Sequence, residues 1–345
     1  MRALVYHGPG QMRLEERSVP VPKDDEVLIK MHAAVVCGTD TGVYHLKETT
    51  ERFAPPLVLG HEVSGEIAGS GKNALKYAIG TRVTINPMLY CRECNYCKRG
   101  EINYCANRAS FGTSINGKKT DGGMQEYFTI REDAVIPLDD RISYEEGALL
   151  EPLAVCYYAA ISGSFGKDES VVVTGAGPIG LFVIKFLKTL GASCIIASDI
   201  IDGRLELAKK YGADEVVNVN KIALEKTVKE KTGGMGADRV IITADNHSAI
   251  PDSFKLVRNG GKIIVVAITY CDIKIDPVQL VTRNISLIGS YMFRGEQADI
   301  MKMIAEGKIK VSDIITSTCP LSESEGLFAR LSAPDCKDVK VMITA

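Results

Sequence analysis

The hydrophobic pattern of this chain changes period once. From residue 1 to about 150, short alternating runs dominate: Met1 to Tyr6, Met12 to Glu16, Glu26 to Val36, Val63 to Ala68, Arg82 to Ile85 and Gln125 to Ile130. Glycine and proline punctuate them, beginning with Gly8-Pro9-Gly10. Alternation at period two with frequent turns predicts short strands and a barrel-like β unit. After Gly163 the pattern differs. Ser170 to Thr174 is a continuous run rich in β-branched residues, as expected for a strand buried on both faces. Leu181 to Leu190 reads as a helix. Strand and helix signals then alternate through Cys194 to Ser198, Arg204 to Tyr211, Glu215 to Val217, Ile222 to Lys231, Arg239 to Ala244, Ser248 to Val257 and Lys262 to Ala267. That order predicts a doubly wound parallel sheet, with Ser286 to Tyr291 as its last strand. A helix near Ala298 to Glu306 and strands at Ile314 to Thr316 and Val339 to Ile343 complete the pattern.

Composition narrows the class. The chain has 345 residues, which favours two domains over one core. Forty-one basic and 43 acidic residues leave a net charge of -2, so neither nucleic acid nor an anionic membrane is an expected partner. Met1 to Pro20 is charged throughout and carries no secretory h-region. Lys185, Lys188 and several glycines break Val171 to Ala197, the most apolar stretch, so no membrane span is expected. Ten cysteines without a leader point to reduced thiols or bound metal, and to a cytoplasmic location.

Three motifs carry chemistry. Gly175-Ala-Gly177-Pro178-Ile179-Gly180 follows a predicted strand and opens a predicted helix, the context a dinucleotide pyrophosphate requires. Asp199 closes the next strand about 20 residues on, where a carboxylate can accept from the adenosine ribose hydroxyls and repel a 2′-phosphate. This favours NAD over NADP; a helix cap is the other use of such an aspartate. Arg204 is suited equally to the adenosine end of the cofactor or to a surface ion pair. Cys91-x2-Cys94-x2-Cys97-x7-Cys105 can close tetrahedrally on one Zn²⁺ with no open position, a structural site, although an iron–sulfur cluster or free thiols use the same residues. Lys98 and Arg99 offset part of the thiolate charge. Finally, Cys37 and Gly60-His61-Glu62 supply a thiolate, an imidazole and a carboxylate, donors that suit a catalytic zinc.

Taken together, these stretches, with Asp121-Gly122-Gly123 between them, resemble the zinc-dependent medium-chain dehydrogenases/reductases over essentially the whole chain. The resemblance implies an α/β protein. A GroES-like, β-rich catalytic domain (1–155, with a zinc lobe at about 88–108, and 295–345) is interrupted by an inserted Rossmann domain (156–294). Glu151-Pro152-Leu153-Ala154 resembles the polyol (sorbitol or iditol) dehydrogenase branch. Carried over, Cys37, His61 and Glu151 bind the catalytic zinc, and Glu62 is a fourth ligand or holds the zinc-bound water. Asp40 orients the imidazole, and Thr39 begins the proton relay. The implied cofactors are two zincs per chain and NAD. The implied reaction is oxidation of a secondary alcohol on a polyol-like small molecule, in a homodimer or homotetramer. Threonine 3-dehydrogenase-like and simple diol or alcohol substrates are the alternatives; a non-enzymatic nucleotide-binding protein would not need these ligands. One position departs from the pattern. Gly42 stands where sorbitol and threonine dehydrogenases have a histidine. Tyr44, His45, Phe111 and Arg294 are weaker candidates for substrate contact, and His7, His32 and His247 are expected to be structural or exposed.

Overall fold

The computed structural model describes residues 1–269, 272–333 and 336–345. The chain forms two compact units, Met1–Pro152 with Gln297–Ala345, and Leu153–Glu296. Among the described residues, no helix is long and apolar enough to cross a membrane.

The first unit is built on a seven-stranded sheet. Its path runs Val135–Pro137, Arg82–Ile85, Glu62–Ser70, Glu26–Val35, Lys340–Thr344, Ile315–Pro320, and Tyr127–Arg131 also pairs with Glu26–Val35. Glu26–Val35 alternates in burial, with Val27, Ile29 and Met31 inside, as its period-two sequence predicts. A second sheet of Gln11–Glu16, Arg2–Gly8 and Leu57–Val58 buries Leu4, Val5 and Tyr6 against the same core, which includes Phe111, Phe128 and Phe328. The strand from Lys340 arrives out of sequence order. It pairs antiparallel with Glu26–Val35, placing Met342 opposite Val35. On the other edge Val35 faces Glu62.

In the second unit six strands lie parallel in the order Glu215–Asn218, Cys194–Asp199, Ser170–Thr174, Ala237–Ile242, Val257–Val265, Ser286–Gly289. In chain order this is third, second, first, fourth, fifth, sixth, the doubly wound dinucleotide-binding order. Helix Pro178–Leu190 is buried from Gly180 to Leu187. Even Lys185 is enclosed, its ammonium 3.9 Å from the Tyr211 ring centroid.

One helix is assigned no element from the sequence, and one boundary moves. Tyr144–Ile161 is a helix of 18 residues with Pro152 inside it. Apolar residues lie around its whole circumference, so no amphipathic signal marks it, and proline argues against helix in isolation. Val257 starts a strand rather than ending a helix: Ala249–Leu256 passes directly into Val257–Val265.

Candidate active site

Cys37 leaves the end of strand Glu26–Val35 and caps helix Gly38–Tyr44. Asp40, in the first turn, folds back so that its Oδ2 accepts the Cys37 N–H at 3.0 Å. Its other oxygen faces His61 Nδ1 at 3.8 Å, an electrostatic contact longer than a hydrogen bond. Asp40 is buried, and burial raises its carboxyl above the ordinary range.

His61 is aimed by a clamped turn. Gly60 has φ +94°, in the left-handed region, and a Cβ there would lie 2.7 Å from Met124 Cγ. The Asp121-Gly122-Gly123 motif holds this turn. Asp121 Oδ1 accepts the Val58 N–H at 2.9 Å, while the Gly122 and Gly123 N–H groups donate to Val58 and Gly60 carbonyls at 2.8 Å. These strand and loop constraints bring a sulfur of Cys37, a ring nitrogen of His61 and a carboxylate oxygen of Glu62 within 4.8 Å of one another. Burial alone would lower the imidazole, but the Cys37 sulfur beside it holds it well above its ordinary value. The donor chemistry and spacing fit a zinc ion.

Glu62 has a partner that the strand pattern did not reveal. Lys340 Nζ donates to both Glu62 oxygens, at 2.7 and 2.5 Å, and to the Val36 carbonyl at 3.1 Å. Side-chain exposure is 3% for the lysine and 1% for the glutamate. Burial opposes the ammonium, yet Glu62 and Cys37 hold it above its usual value. Glu151 is buried near the middle of helix Tyr144–Ile161, outside the tight group of three. Burial, opposed by His61, pushes its carboxyl up to about 7. Thr39 is exposed, two residues from Cys37, and Gly42 is exposed on the same helix.

The weaker candidates separate. Phe111 is fully buried against Phe128, with ring centroids 4.9 Å apart, and belongs to the hydrophobic core of the first unit. Tyr44 packs on Phe328 and on the exposed His45. Arg294 stacks over Tyr158. His7 faces Glu15 at 2.5 Å, His32 stacks flat on Tyr144, and His247 is exposed.

The cysteine lobe is pinched at its neck by the strand pair Met88–Leu89 and Ala109–Ser110. All four sulfurs lie within 4.8 Å of one another. The Cys94–Cys97 and Cys91–Cys97 sulfur separations are 3.5 and 3.9 Å. Tetrahedral zinc with bonds of about 2.3 Å places its sulfurs roughly 3.8 Å apart, so the lobe fits this metal. The backbone N–H groups of Cys94 and Glu93 point at Cys91 and pull its thiol down to about 6, while burial and the neighbouring Cys94 thiol push Cys97 up to about 12, so the four sulfurs do not share charge equally without a metal.

In the second unit the three glycines differ in what surrounds them. A Cβ on Gly180 would strike the Gly175 carbonyl at 1.9 Å, and one on Gly175 would lie 2.9 Å from the Ala244 nitrogen. Both are demanded by the protein's own packing. Gly177 has nothing within 4 Å, so its missing side chain leaves open backbone at the helix N-terminus, a cradle that fits a dinucleotide pyrophosphate. Pro178 and Ile179 form the first turn of that helix. Asp199 Oδ2 accepts the Ala176 N–H at 2.8 Å and Oδ1 accepts from Ile200 and Ile201 at 2.7 and 3.0 Å. The carboxylate thus ties the glycine loop to the second strand. Arg204 stands 3.9 Å from it.

Two family profiles match the chain: an alcohol dehydrogenase GroES-like domain over residues 23–140 and a zinc-binding dehydrogenase domain over residues 178–307. D-arabitol-phosphate dehydrogenase of Enterococcus avium is 35% identical, over 99% of this chain and 97% of its own length. Sorbitol dehydrogenase of Bacillus subtilis (strain 168) is 30% identical over the same shares. Among solved structures, an alcohol dehydrogenase of Escherichia coli CFT073 complexed with NADH superposes with a TM-score of 0.90 at 26% identity, covering 100% of this chain and 99% of that one. The two matched domains, the full-length relatives and the arrangement of cysteine, histidine and glutamate donors agree, and the chain belongs to the zinc-dependent medium-chain dehydrogenases, in their polyol-dehydrogenase-like branch.

Proposed function

We propose that the protein interconverts a secondary alcohol of a polyol, cyclitol or sugar derivative and the corresponding ketone, with NAD(H) as redox partner. The observation that carries this reading is the convergence of Cys37, His61 and Glu62 donors within 4.8 Å in a chain whose relatives include polyol dehydrogenases. When bound, zinc supplies a Lewis acid for the substrate oxygen and the nicotinamide ring accepts the hydride. Cys37, His61 and Glu151 are the proposed metal ligands. Asp40 fixes the Cys37 backbone and faces the imidazole, limiting the ring's motion. Glu62, held by Lys340, contributes a carboxylate beside the site and is the fourth ligand or the holder of a water. The Thr39 hydroxyl takes the substrate proton and passes it to water, with no side chain at Gly42 to extend the relay. Assayed by NAD reduction across polyols, cyclitols, sugar phosphates, diols and threonine, the protein should turn over a polyol-type secondary alcohol best. Activity confined to threonine or to simple diols would replace the substrate class, and no activity with any secondary alcohol would remove the reading.

Asp199, a buried carboxylate at the end of the second strand of the parallel sheet, supports NAD over NADP, because a negative charge there would repel a 2′-phosphate. Asp199→Ala should erode discrimination between the two coenzymes, by about tenfold or more if the carboxylate supplies a charged contact. An unchanged NAD/NADP ratio of kcat/KM would show that the carboxylate serves only the loop. Two zincs per chain are expected by metal analysis, and Cys94→Ser should remove one of them while lowering thermal stability more than it alters kcat. A single zinc in the unmodified protein would strike out one of the two sites. Among the described residues, strand Ser286–Gly289 ends the parallel sheet with no partner on its outer edge, and Val278 and Val281, in the helix that precedes it in sequence, are exposed. An open edge beside apolar residues supports a homodimer or homotetramer that pairs there.

A further inference from the structure

A cavity of about 690 Å³ opens in the first unit, and none of Cys37, His61, Glu62 or Glu151 lines it. Its wall is drawn from strand Tyr127–Arg131, the segment that follows strand Gln11–Glu16, the turn at 118–121 and the neck of the cysteine lobe. Side chains on the wall reach across and tie these pieces together. Arg17 Nη1 stands 3.5 Å from Asp121 Oδ2. Lys118 Nζ donates to the Asn107 carbonyl at 3.2 Å, and Arg131 Nη2 donates to the Tyr90 carbonyl at 3.1 Å. A hollow of this size takes a small organic molecule.

The charge on this wall is one-sided. Arg17, Lys23, Lys118, Lys119 and Arg131 face Glu26 and Asp121. Neither carboxylate is free: Glu26 is 3.1 Å from Lys23 Nζ, and Asp121 accepts the Val58 N–H besides facing Arg17. Acids just outside the wall neutralise the arginines only in part. Glu15 lies 3.1 Å from Arg17 but also meets His7, and Asp133 lies 3.1 Å from Arg131 but also meets Arg92 at 2.7 Å. Among the described residues no carboxylate pairs with Lys118 or Lys119, and both are exposed. Their ammonium groups can therefore meet an occupant without breaking an ion pair. Leu89, Ala109 and Ile130 add apolar surface to the same wall. Positive charge gathered in a hollow with apolar walls attracts an anion more strongly than the same charge on a flat surface. The chain as a whole carries -2, so this surplus is local.

We infer that this cavity is a second ligand site, separate from the metal donors and the glycine loop, and that it takes a small organic anion with two or more acidic groups. Lys118 and Lys119 hold one acidic group from the turn, and Arg17 holds another from the opposite wall, where its planar fork suits a carboxylate or phosphate. The test is calorimetric titration of the whole protein with propane-1,2,3-tricarboxylate and, separately, with inorganic phosphate. Sodium chloride keeps the ionic strength constant, and each titration is run with and without saturating NAD. One equivalent per chain should bind saturably, whether or not NAD is present. The tighter of the two probes assigns the acidic group as carboxylate or phosphate. Lys118→Ala combined with Lys119→Ala should weaken binding by at least about tenfold, the weight of one charge-assisted hydrogen bond. Arg17→Met should weaken it as well. With no anion added, the double lysine variant should oxidise alcohol as the wild type does, because neither lysine belongs to the metal site or the glycine loop. Heat that disappears at constant ionic strength is charge screening only and would overturn the assignment. So would binding that NAD displaces, which belongs to the glycine loop, or binding that the double variant leaves intact. The site shares no side chain with the proposed metal ligands, so it stands or falls independently of the polyol-dehydrogenase reading.

Discussion

Replacing Lys340 with methionine is expected to lower folding stability by about 3–5 kcal/mol, the usual cost of stranding one member of a buried ion pair. Lys340 is the partner of both Glu62 oxygens, and both side chains are almost wholly enclosed. The methionine matches the lysine stem in volume, so the loss measures charge and not cavity. Glu62 would then either stay ionised without a counter-charge or take up a proton. Converting Glu62 to glutamine in the same chain should restore most of the lost stability, because no buried carboxylate then remains to be compensated. Urea unfolding midpoints of the four proteins in the cycle decide the matter. A Lys340→Met change that shifts stability by less than about 1 kcal/mol would mean that the pair contributes what a surface pair does.

Cys37→Ser is expected to abolish turnover, with kcat/KM down by at least about a thousandfold, while NAD binding changes by less than about threefold, within roughly 0.7 kcal/mol. The asymmetry follows from where the groups reside. The proposed metal donors belong to the first compact unit, whereas the glycine loop and Asp199 belong to the second. Serine keeps the size of the side chain but removes the thiolate that a zinc ion prefers. Glu151→Ala should behave similarly if its carboxylate is the third ligand, and metal content distinguishes this from a merely electrostatic role. Loss of coenzyme binding in Cys37→Ser, measured by fluorescence titration, would place the catalytic centre elsewhere.

The alternation of strands and helices in the second unit and the position of its glycine loop could be read from the sequence because both rest on local signals. A β-branched run, a turn of glycines and a helix follow one another without a gap. The cysteine lobe is legible for the same reason, since its ligands lie within one short segment. What escaped depends on distance or on context. Helix Tyr144–Ile161 carries Glu151 but has no polar face and contains Pro152, so its pattern conceals it. Lys340 shows only as a charge within an apolar strand, and nothing local identifies Glu62 as its partner. Phe111 was a weak candidate for substrate contact, and its packing against Phe128 in the core could not be read from the sequence. Asp199 was read for its reach toward ribose. Its role in tying down Ala176, Ile200 and Ile201 needed the three-dimensional turn.

The placement of strand Lys340–Thr344 has a consequence for synthesis of the chain. Glu62 and Lys340 are separated by 278 positions, so at the ordinary pace of about 5–20 residues per second the glutamate leaves the ribosome roughly 15–60 s before its counter-ion. Throughout that interval strand Glu26–Val35 lacks one of its three neighbours, and the frame around Cys37 and His61 is unfinished. The unit from Leu153 to Glu296 is continuous and has every strand it needs well before that moment. The nucleotide-binding half can therefore mature on the ribosome while the metal-binding half waits, exposed to chaperones and to any stray thiophilic ion, until the returning segment closes it.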